Sequence, residues 1–283
     1  MIPWNWGAGQ RILLFLSASL YLASFIALIL TRPRHTYVEL TLFARLLLLG
    51  FLSHVGFTLF RAWFVGRIPF SDRTELLSWL ALSCAVLCLF GTRWLRSRII
   101  IGGGVMCSSV VTVALGIWYD PYALPGIDIV QRSLTTWYGF ATPLAYAAGF
   151  LAFLAQVRGV LISAQGGNFG DVGFFEISEE SMNELASRLV KFSYPLLLSG
   201  LLAFGLGSLG AVGLGWFWQR SVAAQLFVLV AYTIYLHLCT SRPTFKGRIF
   251  LAQLAAFCGV VISVLSFDVP NGLLRGVGLD IFL

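Results

Sequence analysis

The sequence predicts an all-α polytopic membrane protein with about eight transmembrane helices in one bundle, and three observations carry that prediction. The 283 residues are 58% hydrophobic and only 11% charged, against roughly 25% charged and 45–50% apolar residues in a soluble domain. Mean hydropathy is +0.86, which excludes a soluble globular fold. The apolar residues recur in stretches of roughly 20, the helix length that crosses a hydrocarbon core about 30 Å thick. Lys and Arg fall between those stretches and form no run. The net charge of +7 therefore reads as membrane topology, with no nucleic-acid partner implied. Residues 1–283 read as a single integral-membrane domain surrounded by membrane lipid, with no repeat of fixed period.

Taken in order, the first span is Arg11–Leu30. Its apolar run from Ile12 is too long for a signal-peptide core, and no small-residue cleavage site follows. The second, Arg45–Val65, opens on a basic residue that can snorkel to the interface. Glu75–Phe90 is short, and Ile99–Tyr119 holds Gly102-Gly103-Gly104 within apolar sequence. Thr136–Gln156 is the fifth. The longest polar stretch, Ser163 to Lys191, follows and is expected to contain an amphipathic helix. Ser181 with Glu184 three residues later has capping-box form, and Leu185, Leu189 and Phe192 lead into the sixth span, Phe192–Gly213. That span is rich in glycine at positions 200, 205, 207, 210 and 213, as in helices that pack closely in membranes. Ser221–Cys239 and Ile249–Phe267 complete the eight.

Positive residues set the expected orientation. Loops after spans one, three, five and seven carry eleven: Arg32, Arg34, Arg93, Arg96, Arg98, Arg158, Arg188, Lys191, Arg242, Lys246 and Arg248. The opposite side carries seven: Arg11, Arg61, Arg67, Arg73, Arg132, Arg220 and Arg275. The positive-inside rule then puts both termini outside the cytoplasm. Of the five cysteines, Cys84, Cys88, Cys107 and Cys258 lie in apolar stretches and Cys239 near a span end. They give no indication of compartment.

Two of the three histidines, His54 and His237, fall inside spans, while His35 beside Arg34 reads as a surface residue. An ionisable side chain in hydrocarbon is costly and needs a partner. Neutral imidazole is also an axial ligand for haem iron. The pair therefore suggests either a bis-histidine haem b or two separate interhelical hydrogen bonds. Their depths differ: His54 lies nine residues from Arg45 and His237 five from Arg242, roughly 13 and 7 Å at 1.5 Å per residue. In the segment Gly213–Arg220, Trp216 and Trp218 stand at alternate positions near the expected outer face. They read either as rings that stack on a porphyrin, with Arg220 meeting a propionate, or as an aromatic belt.

These blocks together resemble the CcsA/ResC family of cytochrome c assembly proteins. The resemblance begins at His54-Val55-Gly56-Phe57 and continues through Gly66-Arg67-Ile68-Pro69-Phe70-Ser71-Asp72-Arg73-Thr74-Glu75, which is similar to the family's G-H-x-P-x-S-N-x-Y-E. It resumes at Glu184–Leu189 and Tyr194-Pro195-Leu196-Leu197. It then takes in the Trp216 loop, Tyr235-Leu236-His237 and Lys246-Gly247-Arg248, covering roughly two thirds of the chain. The resemblance implies a protein of the bacterial inner (plasma) membrane that handles haem together with a partner membrane protein of the ResB/CcsB type or a c-type cytochrome. It assigns His54 and His237 to an intramembrane haem b, with iron as their metal. The family's outer site has two further histidines flanking W-G-x-x-W-x-W-D-P. Here those positions fall at Tyr138 and about Gly278, the first tryptophan at Val212 and the aspartate at Gln219, while Gly213, Trp216 and Trp218 match. The outer site is thus degenerate.

Three functional readings remain open from sequence: a divergent haem-handling assembly protein, a haem-b electron-transfer subunit linking quinol to an outside redox protein, and a haem-free scaffold. A hydrolase or metal enzyme has no support, because Asp120, Asp128, Asp171 and the loop glutamates form no ligand spacing. No catalytic residue is assigned.

Overall fold

The computed structural model describes residues 4–30, 37–65, 73–95, 97–118, 129–164, 178–212, 220–241 and 245–266. These form eight helices: α1 (Trp4–Leu30), α2 (Tyr37–Val65), α3 (Arg73–Leu95), α4 (Arg98–Trp118), α5 (Ile129–Ala164), α6 (Glu179–Val212), α7 (Arg220–Ser241) and α8 (Lys246–Leu265). All eight are long and apolar enough to cross a membrane. The protein is an all-α polytopic membrane protein. In hydrocarbon no water is available to the backbone, so a spanning segment must close its own hydrogen bonds, and an apolar run of this length does so as a helix.

Each predicted span lies within one helix to within one or two residues, and the largest differences are extensions into polar sequence. α5 runs to Ala164 and α6 starts at Glu179, so they measure about 54 and 51 Å at 1.5 Å per residue. The part of the polar stretch that is described next to the sixth span, residues 178–191, is therefore the opening of α6. Its cap also differs from expectation. Ser178 Oγ accepts a hydrogen bond from the Ser181 backbone N–H at 3.1 Å, which puts Ser181 inside the first turn. The helix begins a turn early because Glu179 and Glu180 occupy its first turn, where the helix dipole favours acidic side chains. Glu184, freed from the expected capping box, pairs with Arg188 at 2.6 Å.

The helices pack as two groups. In one, α1 lies against α2 and α4, and α3 against α4 and α2; in the other, α5 lies against α6 and α8, and α7 against α6 and α8. Contacts of α5 with α3 and α4 join them. The α5–α6 contact is the most extensive. It depends on small residues: Ser193 Oγ donates to the Ala145 carbonyl at 2.8 Å, and a Cβ on Gly200 would lie 2.9 Å from Thr142 Oγ1. Side chains such as Leu47, Leu151, Leu197 and Val228 fill the interior. Ile12, Leu49, Leu202, Val230 and Leu251 are exposed and form the apolar exterior that lipid tails cover.

Candidate functional site

The first group of helices contains a polar track between α1, α2 and α3. His54 is fully buried. Its Nε2 is 2.9 Å from Ser78 Oγ, and its Nδ1 makes a longer contact of 3.4 Å with the Tyr21 hydroxyl. A neutral imidazole offers one donor and one acceptor, so the two hydroxyls occupy both nitrogens. Two turns along α2, Arg61 Nε lies 3.3 Å from Glu75 Oε1, with side chains only 1% and 3% exposed. Thr58, Arg61, Thr74, Glu75, Ser78 and Trp79 surround a void of about 10 Å³, close to the space one water needs. Charges this deep stay ionised only when paired and hydrogen-bonded, so the pair ties α2 to α3. Sequence reading placed Arg61 among the loop cations of one side; the structure makes it an interior residue. Arg158, counted for the other side, is buried too, so both counts fall by one and the bias keeps its sign.

The second expected ligand lies elsewhere. His237 is exposed on α7, which packs on α8 and α6, whereas α2 packs on α1 and α3. No hydrogen bond to it is present among the described residues. Within the apolar segments, His54 stands twelve residues from Leu42 and His237 four from Ser241, about 18 and 6 Å from that end. The structure does not bring the two imidazoles together, and the depth difference seen in the sequence persists. A haem held between them on both faces does not fit this arrangement. Among the described residues no group of three or more His, Cys, Asp or Glu is placed to hold a metal ion. Trp216 and Trp218 lie outside the described residues.

Tyr138, which stands where the resemblance puts an outer-site histidine, is buried and accepts a hydrogen bond from Gln225 Nε2 at 2.6 Å. Tyr146 bonds Ser263, and Ser263 Oγ reaches the Ser221 carbonyl at 3.3 Å. This polar seam joins α5, α7 and α8. Its signal in the sequence was Gln225 and Gln253, amides inside apolar spans, where an amide needs a partner across a helix interface.

A third feature lies where the polar stretch before the sixth span meets the ends of α7 and α8. The end of α5, the start of α6, the end of α7 and the start of α8 enclose a cleft of about 750 Å³, within the roughly 300–1,000 Å³ range of small-molecule sites. Lys246 Nζ meets Glu179 Oε1 at 2.6 Å across it. At its floor Tyr235 OH donates to Gln156 Oε1 at 3.3 Å, and Gln156 Nε2 to Asn183 Oδ1 at 3.0 Å. Val160, Ile249 and Phe250 form the apolar wall.

Fold and site together define an integral membrane protein whose described residues form eight helices, with an ionisable track buried in one half and a polar cleft at one end of the other. No protein-family model matches the chain, and comparison with curated proteins finds no match.

Proposed function

We propose that the chain is a haem-handling membrane protein of the cytochrome c biogenesis type, acting with a partner membrane protein of the ResB/CcsB type or with a c-type cytochrome. The observation that carries this reading is the meeting in space of two sequence blocks that resemble that family. Phe57 of the first block and Thr74 and Glu75 of the second line one void, and His54 and Glu75 each bond a residue just beyond the other block, Ser78 and Arg61. Neither block needs such residues to make an apolar helix. An intramembrane ionisable group is costly enough to mark function by default.

For haem b the ligand that supports the reading is His237. An exposed imidazole in a span, with no hydrogen bond among the described residues, is open to a ligand brought by a partner. His237 would hold the haem there together with a residue of the partner, and the haem would supply redox or haem-transfer chemistry when bound. His54 in this reading positions α2 against α1 and α3. Trp216 and Trp218 remain part of the proposal as a remnant porphyrin platform at the outer face.

The test is the absorption spectrum of the reduced protein purified with and without its membrane partner. A b-type Soret and alpha band, lost in His237→Ala and kept in a stable His54 variant such as His54→Gln, supports the reading. Colourless protein in both preparations rejects it in favour of a haem-free scaffold. Bands that quinol reduces in the absence of any assembly partner would favour the electron-transfer subunit.

A further inference from the structure

The α3–α4 interface contains three cysteines for which the sequence suggested no role. Two hydrogen bonds fix the register of these antiparallel helices. Ser108 Oγ donates to the Ala81 carbonyl at 2.9 Å, and Cys88 Sγ donates to the Ile101 carbonyl at 3.6 Å. Moving from one contact toward the other, α3 advances as α4 recedes, and Cys84 comes level with Val105, two residues from Cys107. The thiols of Cys84 and Cys107 are close enough to interact with each other. The helices approach closely here, because a Cβ on Gly104 would overlap Cys88 Sγ. Small residues at such a contact bring backbones within reach of a side-chain crosslink.

Access comes from one side. Cys84 is fully buried, whereas Cys107 is partly exposed and sits next to Met106, which faces the exterior. Cys107 lies nine residues from Arg98 and eleven from Trp118, about 13 and 16 Å from the two ends of α4. That is mid-depth in the hydrocarbon, where a charged reagent pays a large desolvation cost.

We propose that Cys84 and Cys107 form a dithiol site for a small neutral two-electron oxidant dissolved in the bilayer, which closes them into a disulfide between α3 and α4. Each thiol gives up one proton and one electron. The S–S bond forms, and both electrons and both protons pass to the oxidant; an azo compound becomes a hydrazine. Cys88 is not the partner, since it is level with Ile101, six residues and about 9 Å along α4 from Cys107. The site is independent of haem and of the proposed function.

The experiment uses the full chain in lipid nanodiscs with Cys239→Ser and Cys258→Ser, which leaves the three cysteines of the interface. The protein is treated without oxygen with diamide, a neutral azo oxidant, or with glutathione disulfide, which is charged. It is then denatured, alkylated and mapped without reduction. Diamide should yield the Cys84–Cys107 linked peptide and leave Cys88 open to alkylation, and dithiothreitol should reverse the linkage. Glutathione disulfide should act far more slowly. Cys84→Ser and Cys107→Ser should each abolish the linkage. Unlinked Cys84 and Cys107 after diamide, or a linkage through Cys88, would overturn the site. Equal rates with the two reagents would overturn the bilayer-dissolved oxidant. If the double serine variant fails to insert, the wild-type chain gives the same reading, because the linked peptide is identified by mass.

Discussion

His54 and His237 carry the same imidazole, yet their surroundings are opposite, and this difference can be measured. Replacing His54 by Ala removes a buried ring and leaves Ser78 and Tyr21 without their partner, so it should cost about 2–4 kcal/mol of unfolding free energy. His237→Ala removes an exposed side chain and should stay within about 0.5 kcal/mol. Thermal or denaturant unfolding in mixed micelles compares them, and equal losses would contradict the two environments. The Arg61–Glu75 pair gives a second contrast at this scale. Arg61→Met leaves Glu75 as a buried charge beside a lost partner and should cost about 3–5 kcal/mol, while the double change Arg61→Met with Glu75→Leu should recover most of that loss. A double variant as unstable as the single one would mean that shape, and not charge pairing, is what α2 and α3 share. That these histidines lie in the membrane was legible in the sequence. Their facing was not, because a span apolar on all sides has no wet and dry face to fix its rotation, which packing against Tyr21 and Ser78 then sets.

Among whole helices, close approach separates glycines that the sequence shows as equivalent. A Cβ on Gly149 would overlap the hydroxyl of buried Tyr232, whereas one on Gly56 would meet nothing within 4 Å. Gly149→Ala should therefore destabilise by about 1–3 kcal/mol through overpacking. Gly56→Ala should be neutral or gain up to about 1 kcal/mol from helix propensity. Unfolding of the two variants checks the pair, and a Gly149→Ala protein as stable as wild type would show that α5 and α7 adjust freely. At the start of α6, Ser178→Ala should loosen the first turn, costing about 1 kcal/mol, with faster amide exchange at Ser181 as the local readout. Removal of Ser181's hydroxyl should do less. Span positions were legible because length and apolarity decide them. Helix ends were not, because α5 and α6 continue where hydropathy falls and caps take over.

For the molecule as a whole, the positive-inside count makes orientation testable. A reporter fused after Leu283 should be active outside the cytoplasm and one inserted within residues 166–170 active inside. The reverse pattern would put the Trp216 segment on the cytoplasmic side and remove the outer-face part of the proposed function. The eight-helix architecture could be read almost entirely from the sequence. The division into two groups of helices could not, since it rests on pairings such as Gln225 with Tyr138 and Ser193 with Ala145, which join residues far apart in the chain. The cleft was missed for a related reason: its lining comes from the ends of four helices, and each end reads alone as an ordinary polar boundary.

The lengths of α5 and α6 also bear on how anything reaches that cleft. Both exceed a hydrocarbon core of about 30 Å by roughly 20 Å, and the turns at the cleft end of α6 bear Glu179, Glu180, Glu184 and Arg188. Charged turns of that kind are costly in hydrocarbon and belong beside the bilayer. Solutes can therefore diffuse to the Glu179–Lys246 rim without partitioning into lipid, and their arrival rate should respond to ionic strength in the surrounding water and not to the fluidity or chain length of the membrane.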